Sequence, residues 1–320
     1  MHVPTLDEIC AKPAQAFGIA SLAYKAPTEN ARAVSAILSE CYPLRQKKVL
    51  TLASSGDLII GFLIEGACLV TGVDISAISC MWIEFRIQAR LSLGLRRFNI
   101  LMRTVGSPCP QEVGSATTKT IAELSLTTFP LLNDQTVGFL DLSRVCSGGL
   151  FRQILHPKSY PECFQIFNKT LNMDPWLLRR VRILNTPIQE YVHSHSHRFD
   201  MIYCSNLFDC ELYGLPPRAD MFKRFGLLSD LHAAVRDGGI IVTYLFGDAL
   251  CSLGSLFAAA SLLGLGVSVH KIPGHPESHD YVIVYSCRPW VCYDYLRRLF
   301  SPKSGSRSIK QEVTVSCGFL

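Results

Sequence analysis

The 320-residue chain is 48% hydrophobic and 18% charged, a balance that fits a packed globular protein and excludes an intrinsically disordered one. Its formal net charge of +5 keeps it soluble but falls short of the dense basic stripe a nucleic-acid binder needs, so no nucleic-acid partner is expected. Thirteen cysteines, an odd number with no Cys-x-x-Cys pair and several members inside apolar runs (Cys68, Cys80, Cys204, Cys251), point to free thiols in a reducing, cytoplasmic setting rather than to a disulfide framework.

Residues 1–45 read as a mixed, helical segment. Asp7 and Glu8 near its start and the lack of an apolar run argue against a secretory signal, and Ala31 to Cys41 has the spacing of an amphipathic helix. Residues 46–90 change pattern. Val49 to Ala53 is a short apolar strand, Ser54-Ser55-Gly56-Asp57 a small-residue turn, and Leu58 to Ile64 a helix that stops at Gly66. Cys68 to Val73 is a second strand ending in Asp74, and Ala77 to Arg90 a second helix. Strand, helix and strand in this order form a βαβ unit, whose parallel strands need a crossover.

Between Arg90 and Arg180 the rhythm is lost and prolines accumulate, so residues 91–180 are expected to be an insertion, or lid, that shapes an acceptor site. The alternation resumes over residues 181–300. Val181 to Leu184, Met201 to Ser205, Ile240 to Leu245, Val267 to Ile272 and Tyr281 to Cys287 read as strands, and Met221 to Val235 and Ala249 to Leu263 as helices. The stretch from Gly239 to Val269 carries only Asp248 as a charge, but its glycines divide it into a buried strand and a buried crossover helix rather than a membrane span. Residues 301–320, Ser-rich with Lys303, Arg307 and Lys310, are expected to be a solvated, mobile tail. Seven strands with a reversed final pair predict a doubly wound, mostly parallel α/β sheet with a helical insertion.

In such a sheet a ligand lies beyond the carboxyl ends of the strands, at the switch point. The turn of Ala53, Ser54, Ser55, Gly56 and Asp57 falls there, with small residues that admit a close ligand and a helix N-terminus behind them. Asp74, with Ile75 beside it, ends the next strand, where a carboxylate can accept hydrogen bonds from both hydroxyls of a ribose. Asp74 follows Asp57 by 17 positions, close to the ~20 residues between a nucleotide turn and its ribose acid.

Val70-Thr71-Gly72-Val73-Asp74-Ile75-Ser76 resembles the second-strand motif of class I methyltransferases, and Leu231 to Val242, with Asp237-Gly238-Gly239 before an apolar strand, resembles their later Gly-Gly motif. The resemblance covers about two-thirds of the chain and implies a Rossmann-like fold that binds S-adenosylmethionine. The first turn departs from it, with Thr51 at the acid position, Ala53 and Ser55 at two glycine positions and Asp57 at the third. The run Leu50 to Asp57 is instead similar to the BtaA family of betaine-lipid synthesis, as is Phe199 to Asp209 with its Ser205-Asn206-x-x-Asp209 ending; Leu58 departs from that family's usual Asn. A looser likeness runs through Gly148-Gly149-Leu150-Phe151-Arg152 and Leu155-His156-Pro157. The BtaA resemblance implies transfer of the 3-amino-3-carboxypropyl group, with release of methylthioadenosine.

The sulfonium offers three electrophilic carbons, and the enzyme selects one by alignment with the nucleophile. Attack at the γ-carbon demands a firm hold on the moving amino-acid arm. Asp57 and Asp209, expected on opposite lips of one crevice, suit its ammonium; Ser54, Ser55 or a helix-terminal amide suits its carboxylate. Asn206 is expected near the sulfonium with Ser205 beside it, while Tyr203 and Tyr213 are candidates to orient an acceptor or face the cation. A packed aromatic is the plainer reading of each tyrosine. Asn185 and Thr186, at the end of the third strand, are the nearest polar groups for an adenine edge.

No metal is expected. His193, His195 and His197 alternate as zinc ligands on a strand would, but lie among serines in a polar loop; His275, His279 and Asp280 sit in a Pro/Gly loop. Cys317-Gly318-Phe319-Leu320 fits a prenylation box only by position. Three functions remain: aminocarboxypropyl chemistry, onto a small acceptor or within the ligand itself to give azetidine-2-carboxylate; methyl transfer to a small molecule; and a non-catalytic S-adenosylmethionine-binding module. The first is favoured by the first turn and the Ser-Asn-x-x-Asp ending. Acceptor identity and oligomeric state are not encoded in any recognisable motif.

Overall fold

The computed structural model of the protein describes residues 29–54, 56–75, 79–80, 175–209, 221–246, 253–272, 280–287 and 312–315, together with residues 83, 84, 86, 87, 90, 91, 94 and 98. The elements in chain order are α1 (Ala31–Cys41), β1 (Lys48–Leu52), α2 (Asp57–Ile64), β2 (Leu69–Asp74), a 3-10 helix (Pro175–Arg180), β3 (Val181–Asn185) and α3 (Ile188–His193). They continue with β4 (Phe199–Tyr203), a 3-10 turn (Leu207–Asp209), α4 (Met221–Ala234), β5 (Val235–Leu245), α5 (Leu253–Leu262), β6 (Gly266–Lys271), β7 (Tyr281–Ser286) and β8 (Glu312–Val315).

The strands form one sheet in the order β3-β2-β1-β4-β5-β7-β6-β8. β4 runs parallel to β1 and β5, and β3 parallel to β2, whereas β7 runs antiparallel to β5 and β6, and β8 antiparallel to β6. This is the doubly wound α/β fold expected, with its switch point between β1 and β4. All five residues of β4 are buried, as a central parallel strand covered on both faces should be.

The chain divides into two compact units. One comprises Met1–Ser35 and Ala53–Ile188, the other Ala36–Leu52 and Gln189–Leu320. In the first, α2 is apolar on every side, and each of its residues from Asp57 to Leu63 is buried. Burial of a Leu, Ile or Phe side chain contributes about 1.5–3 kcal/mol, so packing rather than helix propensity holds this short helix. In the second, Val49 and Leu50 of β1, Met201 and Ile202 of β4, and Ile241 and Val242 of β5 are core residues.

Three features differ from the sequence expectation. The histidine segment is partly helical, because Ile188 and Val192 are four apart and both buried, which gives α3 an inward face too short to stand out as a period. β5 begins at Val235 rather than Ile240 and takes in Arg236 to Gly239, with a register shift against β4 between Phe199 and Met201. Within the tail expected to be mobile, Glu312–Val315 forms β8 on the sheet edge. The 91–180 insertion is described only at a few helical positions and at Pro175–Arg180, so its lid role lies outside the described residues. Among the described residues no helix is long and apolar enough to cross a membrane.

Candidate functional site: the turns after β1 and β4

β1 ends at Leu52, and the chain turns at once. The Ala53 amide donates to the Val73 carbonyl at 2.8 Å, and the Ser54 amide donates to Asp74 Oδ2 at 3.0 Å. Ser54 (φ 47°) and Gly56 (φ 84°) both lie in the left-handed region. For Ser54 that conformation costs about 1–2 kcal/mol, which the bond to Asp74 helps to offset; Gly56 adopts it without a Cβ penalty. Gly56 caps α2 with no side-chain hydrogen bond, and a Cβ there would lie 3.0 Å from Ile83 Cγ1. Asp74 itself is half-buried, and its carbonyl accepts a bond from Asn185 Nδ2 at 2.9 Å. The acid at the end of β2 is thereby fixed to the turn after β1 and to the end of β3. Ala53, Ser54, Gly56, Asp74 and Asn185 are brought together as the sequence suggested.

Asp57 is placed differently. Its carboxylate is 1% exposed and forms a two-point ion pair with Arg86, Nη1 to Oδ2 at 3.1 Å and Nη2 to Oδ1 at 3.2 Å. Both oxygens expected to meet a ligand's ammonium are engaged by a guanidinium from within the protein. Asn185 directs its amide nitrogen to the backbone, and Thr186 is buried. Ile75, half-buried, follows Asp74 just past β2, and Ser55 lies outside the described residues.

The turn after β4 repeats the backbone device. Ser205 has φ 53°, and its carbonyl accepts from Thr243 Oγ1 at 2.9 Å and from the Tyr244 amide at 2.8 Å. Its hydroxyl donates to Asn206 Oδ1 at 3.2 Å, leaving Asn206 half-buried at the carboxyl end of β4. Strained residues over-determined by their surroundings recur at functional sites, which makes this turn a candidate in its own right. Tyr203, the last residue of β4, is fully buried, so its ring is packed in the core, the plainer of its two expected places. Asp209 closes the 3-10 turn, but its side chain lies outside the description, as does all of Tyr213.

The surroundings of the two core cysteines near these turns disfavour a thiolate. Burial, and then the charge of Asp74, pushes the Cys80 thiol far above its ordinary range, and burial does the same to Cys204. The alternating histidines each have a separate neighbour: His193 Nε2 lies 3.6 Å from Asp230, His195 stacks on Tyr191 at 4.0 Å between centroids, and His197 Nδ1 is 3.2 Å from the Val235 carbonyl. Among the described residues no three metal-ligating side chains gather. Asp280, from the Pro/Gly loop, is buried and accepts from the Tyr244 hydroxyl at 2.8 Å.

Two arginines escaped the sequence reading. Arg86 lies three residues after Ile83 and one before Ile87, both buried, so it shares their inward stripe. Arg224 stands three, four and seven residues before Leu227, Leu228 and Leu231, all buried, and is itself 1% exposed. Helical spacing was the available signal for both.

No family model matches the chain, and no curated protein does. Solved structures similar to it include a TehB-like SAM-dependent methyltransferase from Corynebacterium glutamicum, 12% identical over 81% of this chain and 86% of that one, TM-score 0.39. A magnesium protoporphyrin IX methyltransferase from Synechocystis with bound SAM is 8% identical over 82% of this chain and 79% of that one, TM-score 0.41. A tRNA (m1A58) methyltransferase from Aquifex aeolicus is 10% identical over 88% and 76%, TM-score 0.40.

Proposed function

We propose that the protein is an S-adenosylmethionine-dependent transferase and that the group it moves is the methyl. The observation that carries the cofactor assignment is Asp74: a half-buried carboxylate at the end of β2, bonded by the Ser54 amide of the turn after β1. Beside a switch point this is where a ribose diol would be held, and a carboxylate has acceptor capacity for it beyond the bond from Ser54. Gly56 adopts its left-handed conformation without a Cβ, for which Ile83 leaves little room.

The choice of methyl transfer rests on Asp57. Aminocarboxypropyl transfer moves the amino-acid arm and needs that arm held by fixed charges; the carboxylate offered for its ammonium is sequestered by Arg86. Methyl transfer leaves the arm on the departing adenosylhomocysteine and demands only that the nucleophile, methyl carbon and sulfur lie in line. The nucleophile's bond to carbon forms as the carbon–sulfur bond breaks, and the sulfonium charge is discharged. Asn206, at the end of β4, is the polar group we assign to the acceptor side. The BtaA-like run from Leu50 to Asp57 supports the second reading, transfer or cyclisation at the γ-carbon.

Incubation with S-adenosylmethionine, alone and with pooled small-molecule acceptors, followed by mass spectrometry, tests the choice. Adenosylhomocysteine with a methylated product is expected. Methylthioadenosine above the enzyme-free control would instead install the second reading.

A further inference from the structure

Among the described residues Arg224 is the largest side chain almost wholly removed from solvent, at 1% exposure. It sits in the first turn of α4. Its Nε donates to the Phe208 carbonyl at 3.2 Å, and its Nη1 donates to Ser255 Oγ on α5. Phe208 is the central residue of the 3-10 turn that follows Ser205 and Asn206. The turn is therefore gripped at both ends, by Thr243 and Tyr244 of β5 at the Ser205 carbonyl and by Arg224 at the Phe208 carbonyl. At the first grip the backbone is in the left-handed conformation, at Ser205.

A buried guanidinium is costly to desolvate, and helix α4 could have placed an apolar side chain here at no such cost. What it supplies, and an apolar group cannot, is a rigid fork spanning two elements. We propose that Arg224 is a positioning residue for the Ser205–Asp209 turn, setting where Asn206 stands for the transfer reaction; this rests on the transferase reading above. Arginine acts here through the backbone of the turn and touches no substrate.

The test pairs hydrogen exchange with steady-state kinetics on the full chain, in Arg224→Lys and in Ser255→Ala, which removes the far anchor and keeps the arginine. In Arg224→Lys, exchange of the amides of residues 204–209 is expected to rise by about tenfold while β5 and β7 stay protected. Turnover should fall by about 10²-fold with KM for S-adenosylmethionine unchanged, as expected for a reacting geometry displaced by about 1 Å. Ser255→Ala should shift both readouts in the same direction by less, and it keeps the test alive if the lysine variant does not fold. Unchanged exchange at 204–209, an equal rise throughout the second unit, or local loosening with full turnover would each overturn the proposal. A parent chain that never turns over S-adenosylmethionine would remove the transferase reading, while local loosening in Arg224→Lys would still establish the anchor.

Discussion

Arg86 holds both carboxylate oxygens of Asp57, with the two side chains 5% and 1% exposed. The pair stands at the first residue of α2, just after the turn that follows β1, where the negative charge also suits the helix N-terminus. Breaking a buried pair from one side strands the other charge, so Asp57→Ala should cost about 3–5 kcal/mol of stability. Replacing both partners by apolar groups of similar volume, Asp57→Leu with Arg86→Met, should recover most of that loss. Urea unfolding of the single and double variants checks this, and a double variant as unstable as the single would show that the pair is not the source.

Close packing of α2 on β2 sets a second expectation. A Cβ on Gly72 would lie 2.7 Å from Ile59 Cδ1 and 3.0 Å from Ile183 Cδ1. Gly72→Ala should therefore destabilise the protein by about 1–3 kcal/mol through overpacking. Ile59→Val removes the nearer atom, so the double variant should lose less than the sum of the two single changes. Additive losses in thermal unfolding would contradict the contact.

Tyr42 gives a prediction in pH. Its hydroxyl donates to the Asp200 carbonyl at 3.1 Å. Burial, and then the charges of Asp200 and Cys287, push its ionisation up to about 12, against the opposing effect of Arg236. The unfolded phenol ionises near 10, so between pH 10 and 12 the unfolded state loses its proton while the folded state keeps it. The stabilisation is complete below pH 10 and fades as pH rises towards 12. The parent should lose stability faster than Tyr42→Phe over that window, and the late phenolate absorbance step should vanish in the variant. Parallel stability curves would show that Tyr42 titrates normally.

Much of this architecture is legible in the residues. α1 is bounded as its apolar spacing predicts, and six of the seven expected strands lie within a residue or two of their place, because apolar runs between small-residue turns are read directly. β5 starts early because Val235 pairs with Phe199 of β4, with Arg236 to Gly239 taken up in the register shift that follows, and no local pattern marks these residues as strand. β8 depends on an edge offered by β6, a long-range relationship invisible in a Ser-rich tail. At the site, the placement of Asp74 beside the turn after β1 was legible because it follows from strand position alone. The fate of Asp57 was not: an aspartate at a helix start reads the same whether it faces a ligand or an arginine 29 residues on, and only the fold decides. Tyr203, the last residue of β4, is packed in the core, the plainer of the two readings its sequence position allowed.

The most direct measurement of the central claim is calorimetric titration of the folded chain with S-adenosylmethionine, repeated on Asp74→Ala. The parent should bind one equivalent saturably. The variant should lose charge-assisted hydrogen bonds worth roughly 1.5–3 kcal/mol each, a drop in affinity of at least about tenfold, with Ser54 also losing its acceptor. A correctly folded parent that binds no S-adenosylmethionine would contradict the assignment outright, and equal affinity in the two proteins would remove Asp74 from the site.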